Sequence, residues 1–298
     1  MQKSSRSVCF IINPAADRKR SSRHISWIQE EAKKRWHNYE VVITNARDDI
    51  DLLASQKGEK FDIVVACGGD GTVSNVANGL VQSNASLGVL PIGSGNDFVK
   101  SLRLNRTLPE CMDLLQNGRS VVIDMIYYEG DATGWCVNTI GSGLDGLANY
   151  YAGRYRKLKG FIVYALGAIK ACFKFRGSKM RLIVDGDEIT GEYLMVTLCN
   201  GKWEGGRFHV APDAIMDDGH LDLLLIERLP IYLILAYLPM FSRGPSESMK
   251  GVSSIRCKKV EINSEKPLYV HRDGELVADS MKYLKLGIRE GVLKVIVE

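Results

Sequence analysis

Apolar residues follow two rhythms along this chain, and the change between them falls near residue 120. In the first part, short runs without polar alternation (residues 8–12, 41–43, 63–67 and 87–90) are separated by stretches of helical spacing. Ile25, Ile28 and Ala32 mark one helix and Ile50, Leu53 and Ala54 a second. Val73, Val76, Ala77, Leu80 and Val81 mark a third, at i, i+3, i+4, i+7 and i+8. Strands that are apolar throughout and alternate with helices predict a parallel sheet with helices on both faces. Beyond residue 120 strand-like runs follow one another at 180–184, 193–198, 221–226, 260–263, 268–271, 283–288 and 293–297. Asp185-Gly186 and Asp273-Gly274 are hairpin dipeptides between such runs. The expected architecture is an α/β domain over residues 1–123, then a mainly antiparallel β domain over 124–298 whose last strand is allowed to return to the first.

Composition narrows the class. A chain of 298 residues, 45% hydrophobic and 25% charged, suits two globular domains and excludes a disordered chain or a multi-span membrane protein. The apolar stretches 161–169 and 229–241 are shorter than the roughly 20 residues of a bilayer span. Residues 8–12 are too few for a signal-peptide core. Seven scattered cysteines without a CxxC pair suggest neither a disulfide framework nor a zinc knuckle, so a reduced, cytoplasmic setting is expected.

The formal charge of +4 conceals a local excess. No acid occurs between Asp145 and Asp185, while Arg154, Arg156, Lys157, Lys159, Lys170, Lys174, Arg176, Lys179 and Arg181 all lie there. The interleaved Tyr150, Tyr151, Tyr155, Phe161 and Tyr164 suit a peripheral membrane surface. A solvated helix face is the alternative. No RNA- or DNA-binding motif accompanies the basic residues, so nucleic acid is not expected as a partner. The stretch 229–241, broken by Pro230 and Pro239, reads as core or, with the 146–176 region, as a lining for acyl chains.

Chemistry concentrates in two glycine-rich loops. Gly68-Gly69-Asp70-Gly71-Thr72 lies between a buried strand and a helix, where backbone N–H groups and the helix dipole favour a phosphate. Pro91-Ile92-Gly93-Ser94-Gly95-Asn96-Asp97 occupies the same position after the next strand. Two such loops at one end of neighbouring parallel strands line the crevice where open α/β sheets bind ligands. Asp70 and Asp97 would repel a polyphosphate, a conflict that a divalent cation between them resolves. Thr72, Ser94 and Asn96 supply hydroxyl and amide donors, and Arg18, Lys19, Arg20 and Arg23 are nearby basic groups. The five histidines, His24, His37, His209, His220 and His271, show no metal-ligand spacing and read as structural or surface residues.

GGDGT followed by PIGSGND, with Asn13-Pro14 after the first strand, resembles the diacylglycerol kinase catalytic-domain family, in particular the bacterial soluble lipid kinases related to sphingosine and ceramide kinases. Asp124, the segment 141–145, the segment 200–222 and Asp273-Gly274-Glu275 fall in the family's order. The resemblance implies a nucleotide-binding domain, a C-terminal β-sandwich, and an active site in the cleft between them. It implies Mg-ATP as phosphate donor and a lipid hydroxyl, most often that of diacylglycerol, as acceptor. The nucleotide site then maps to Asn13, Pro14, Ala15, Ala16, Asp17, Thr44, Gly69, Asp70, Gly71, Thr72, Val73, Ser74, Asn75 and Ser94. Glu275 matches the general base, with Asp70 assisting catalysis, and a structural Mg²⁺ maps to the Asp218 carboxylate with the carbonyls of Ile215 and His220. Asp17 stands where the family carries glycine, Ser94 where threonine is usual, and Asn75 where bacterial members carry glutamate. An NAD kinase, which shares GGDGT, and a nucleotide- or lipid-binding protein without turnover are the other readings; a homodimer is left open.

Overall fold

In the computed structural model the described residues are 3–14, 21–45, 47–154, 161–246 and 248–298. They divide into two compact units, Met1–Ile123 with Gly291–Glu298, and Asp124–Glu290.

In the first unit β1 (Val8–Ile12) is buried at every position. It is followed by α1 (Ser21–Arg35), β2 (Tyr39–Ile43), α2 (Ile50–Gly58), β3 (Ile63–Gly68), α3 (Asp70–Gly79), β4 (Ser86–Pro91), the short α4 (Asp97–Ser101) and α5 (Leu108–Asn117). The four strands are parallel in the order β2-β1-β3-β4, with Val8 opposite Tyr39 on one side and Ile63 on the other. The runs lack polar alternation because helices cover both faces. On one of those faces Phe10, Ile28, Trp36, Met112 and Leu115 share a core. There Phe10 and Trp36 meet edge to face with ring centroids 5.6 Å apart. α2 starts where the Asp49 side chain accepts the Leu52 N–H at 3.0 Å. α5 starts where Glu110 reaches back to the Thr107 N–H at 2.7 Å.

β5 (Arg119–Glu129) leads from the first unit into the second. The second unit continues with β6 (Thr133–Cys136), β7 (Thr139–Gly143), α6 (Leu144–Ala152), α7 (Phe161–Lys174), β8 (Ser178–Val184) and β9 (Asp187–Cys199). Next come β10 (Trp203–Glu204), β11 (Phe208–His209), β12 (Leu221–Glu227), α8 (Ile231–Met240), β13 (Val252–Cys257), β14 (Lys259–Arg272) and β15 (Glu275–Val297). The pairings of β6 to β14 with one another, of β5 with β6 and of β14 with β15 are antiparallel. β7 and β8 lie end to end between β9 and β14.

Three helices interrupt the β pattern that the sequence led us to expect, and they explain the burial along β9. Residues 187–192 are exposed or half-buried, whereas every residue from Tyr193 to Cys199 is buried. In that second stretch Val196 and Leu198 face the strand core, while Leu194 and Met195 pack with Leu144 and Leu147 of α6, Cys172 of α7 and Ile234 of α8. Two further expectations are corrected. The runs 260–263 and 268–271 form one strand, β14, with an irregular register between Asn263 and Leu268. The runs 283–288 and 293–297 both belong to β15, whose Lys294 and Val295 pair in parallel with Ser86 and Leu87 of β4.

Candidate functional site

In the first unit the parallel strands deliver their C-terminal ends to one edge. Asn13 follows β1, Thr44 follows β2, Gly69 follows β3 and Ile92 follows β4. The chain goes from β1 outward to β2 and then back across to β3, so the turns after β1 and β3 diverge and open a crevice. The Asn13 amide donates to the Thr72 hydroxyl across it at 3.1 Å.

The two glycine loops are joined to each other. The N–H groups of Ile92 and Gly93 both donate to the Gly68 carbonyl at 3.1 Å. A side chain on Gly93 would collide with the backbone of Gly69, so glycine is required there for the loops to touch. Asp70 completes the junction, its Oδ2 accepting the Asn96 N–H at 2.8 Å and its Oδ1 the Asp97 N–H at 2.6 Å. Asp97 in turn pairs with Lys100 at 3.2 Å. These carboxylates therefore have donors within the protein.

The other residues expected around the nucleotide separate into groups. Thr44 is buried and its hydroxyl donates to the Ile12 carbonyl at 3.2 Å. Val73 and Ser74 are buried, and the Val73 N–H is spent on the Gly69 carbonyl at 3.0 Å. Gly69, Gly71 and Thr72 stand at the first turn of α3, with N–H groups oriented as an anion requires. Asn75 is half-buried one turn further, and Ser94 is exposed at the tip of its loop. Pro14 ends the described turn; Ala15, Ala16, Asp17, Arg18, Lys19 and Arg20 lie outside the described residues, as does the side chain of Arg23.

In the second unit Asp273-Gly274 is a tight turn between β14 and β15, with φ of 47° and 82°. Asp185-Gly186 has the same form, with φ of 51° and 103°. What differs is the setting. The buried Asp273 carboxylate accepts the N–H groups of Val137, Asn138 and Thr139 at 3.1, 2.9 and 3.0 Å. Asp185 instead holds Lys258 and Lys259 N–H groups at the surface. Glu275 follows the anchored turn and is an exposed residue. Crowding around its carboxyl lifts it above the ordinary glutamate value; Arg272 opposes this and the Asp273 charge adds to it.

The loop expected to hold a structural metal is closed by protein groups. Asp218 accepts the His220 N–H at 3.0 Å through Oδ1 and pairs with Arg256 at 2.5 Å through Oδ2. Ile215 is half exposed, and Asp124 fixes the loop by accepting the Gly219 N–H at 2.8 Å. In this structure Arg256 balances the one carboxylate of the set.

Sequence reasoning missed one cluster of this unit. Asp145, Glu204 and His271 converge from α6, β10 and β14, with one donor atom of each within 4.8 Å of the others. The available signal was an ionisable residue set within an apolar run, as His271 is in Leu268–His271. An apolar cavity lies beside them, lined by Leu144, Ala148, Met195, Ile234, Leu238 and Phe241 among others. The 229–241 stretch thus supplies α8 as one wall, with Pro230 as its N-cap and Pro239 in its last turn. Of the basic residues, Lys170, Lys174, Arg176 and Lys179 are exposed, Arg154 stacks on Tyr150, and Arg181 is paired with Glu188. Tyr155, Arg156, Lys157 and Lys159 lie outside the described residues, as do the side chains of Phe161 and Tyr164.

Residues 7–128 match the diacylglycerol kinase catalytic domain family, and residues 138–297 match the YegS C-terminal NAD kinase beta sandwich-like domain family. A diacylglycerol kinase of Bacillus subtilis is 26% identical over 273 residues, covering 89% of this chain and 88% of the relative. The crystal structure of a diacylglycerol kinase from Bacillus anthracis superposes with a TM-score of 0.76 at 20% identity, over the whole of this chain and 98% of that one. An NAD kinase from Archaeoglobus fulgidus, solved with ATP, superposes with a TM-score of 0.54 at 16% identity, over 97% and 93% of the two chains.

Proposed function

This chain belongs to the diacylglycerol kinase catalytic-domain family, and on that footing we propose that it transfers the γ-phosphate of Mg-ATP to a lipid hydroxyl, with diacylglycerol as acceptor and phosphatidic acid as product. The observation that carries the reading is the pair of glycine loops held together by Asp70 at the C-terminal edge of the parallel sheet. Their first-turn N–H groups and the Thr72 hydroxyl suit the oxygens of a triphosphate. Asp70 acts here as the tether that shapes the loops. Magnesium bound with the nucleotide would neutralise part of the triphosphate charge.

Glu275 is the proton acceptor in this proposal. The acceptor oxygen attacks the γ-phosphorus in line, its proton passes to the Glu275 carboxylate, and the bond to the β-phosphate breaks to release ADP. The carboxyl's raised affinity for a proton brings it nearer the operating pH, which favours that role.

The second unit offers features suited to a lipid. The apolar cavity between α6, α7 and α8 would take an acyl chain. On α7 the exposed Leu166, Ile169 and Phe173 form a stripe at i, i+3 and i+7, beside Lys170, Lys174 and Arg176. An apolar stripe with basic flanks suits the surface of an anionic bilayer. Among the described residues no helix is long and apolar enough to cross a membrane.

Transfer of labelled γ-phosphate from ATP to a panel of mixed-micelle lipids and to NAD, with wild type and Glu275→Ala side by side, tests the reading. Label in diacylglycerol, reduced roughly 10²- to 10⁴-fold in the variant, is expected. Label in NAD alone, or ATP binding with no transfer to any acceptor, would overturn it.

A further inference from the structure

We propose that Asp145, Glu204 and His271 form a binding site for one divalent transition cation of the Zn²⁺ or Mn²⁺ class, separate from any magnesium that enters with a nucleotide. His271 Nε2 lies 3.3 Å from Asp145 Oδ2 and 3.2 Å from Glu204 Oε1. With metal–ligand bonds of about 2.0–2.2 Å, the ligand atoms of a tetrahedral site stand about 3.3–3.5 Å apart, so these separations are already near those of a site. One imidazole and two carboxylates are also the mixed donor set that borderline cations accept.

His271 is completely buried. Its Nε2 faces both carboxylates without a well-aligned hydrogen bond to either, and its Nδ1 has no hydrogen-bond partner among the described residues. A cation on Nε2 would be held by all three groups at once.

The surroundings are built around the three groups. Gly141 lies directly opposite His271 in the β7–β14 ladder, and a side chain on it would overlap both Asp145 Oδ2 and His271 Nε2. Asp145 is oriented by the Gly146 N–H at 2.7 Å on Oδ1 and by the Thr197 hydroxyl on Oδ2. Glu204 adjoins Trp203, whose carbonyl accepts the Asn138 amide at 2.7 Å and whose ring stacks on His209. Such outer contacts hold ligating side chains in place. Asp145 and Glu204 also line the apolar cavity.

The test is equilibrium dialysis of chelator-treated, full-length protein against Zn²⁺ or Mn²⁺ with excess Mg²⁺ and no nucleotide, the bound metal being read by elemental analysis. Mn²⁺ serves as the second probe because it discriminates against the buried thiols. Wild type and Asp218→Asn should each retain one equivalent, while Glu204→Gln, close in size to the native residue, should bind at least about tenfold more weakly. Asp145→Asn serves as a second variant, and circular dichroism identifies the variants that remain folded. Absence of a stoichiometric equivalent in wild type, or equal affinity in folded Glu204→Gln and Asp145→Asn, would overturn the proposal.

Discussion

Asp70 caps the start of α4 from the neighbouring loop, its two carboxylate oxygens taking the N–H groups of Asn96 and Asp97. An amide at this position keeps one acceptor oxygen and loses the other. Asp70→Asn is therefore expected to cost about 1–3 kcal/mol in urea unfolding, the penalty of one unsatisfied N–H, and to weaken ATP binding because the loops separate. Unchanged stability together with unchanged ATP affinity would count against the tether.

Glu275 yields a prediction of definite sign. Its carboxyl is raised in the folded chain, so the ionised form is disfavoured there relative to the unfolded chain. The stability it contributes is present below the unfolded value of about 4.3 and is lost as pH rises through the folded value. Glu275→Gln should accordingly match or exceed the wild-type melting temperature at pH 8 and show no advantage at pH 4. The acid limb of the wild-type rate profile should also sit above the ordinary carboxylate range.

Asp273 and Asp185 occupy turns of the same shape but different burial. Asp273→Asn replaces an acceptor of three buried N–H groups with an amide that presents its own donors to them. A loss of about 1–3 kcal/mol is expected by chemical denaturation, with Asp185→Asn costing less because water can replace its bonds. Equal losses would mean that burial does not govern the difference.

The exposed stripe of α7 predicts membrane behaviour. Phe173→Glu removes the most exposed member of the stripe and adds a like charge against an anionic bilayer. Binding to phosphatidylglycerol-containing vesicles, measured by sedimentation, should fall by roughly tenfold or more, since burying one such side chain is worth about 1.5–3 kcal/mol. Retained binding would assign the surface elsewhere.

Much of the first unit was legible because its strands are buried on both faces and carry no polar residues; the run 8–12 is the whole of β1. The glycine loops were legible as turns between strand and helix, yet the partners of Asp70 were not, because its bonds go to a backbone 26 residues away. In the second unit polar interruptions misled. Glu265 and Lys266 read as a break between strands, but they are exposed positions within β14. Gly146 weakened the helical signal of α6, and its actual role is spatial, since a side chain there would strike the Tyr269 carbonyl. The convergence of Asp145, Glu204 and His271 left no spacing pattern, because the three come from widely separated segments of chain.

The division of the chain has a bearing on biosynthesis. The first unit is closed by residues 291–298, which a ribosome makes only after the whole of the second unit. Until Lys294 and Val295 emerge, Ser86 and Leu87 lack the strand that pairs with them, and the nascent sheet presents an open edge to any neighbouring polypeptide. Vectorial synthesis thus leaves the nucleotide-loop unit as the part begun first and completed last.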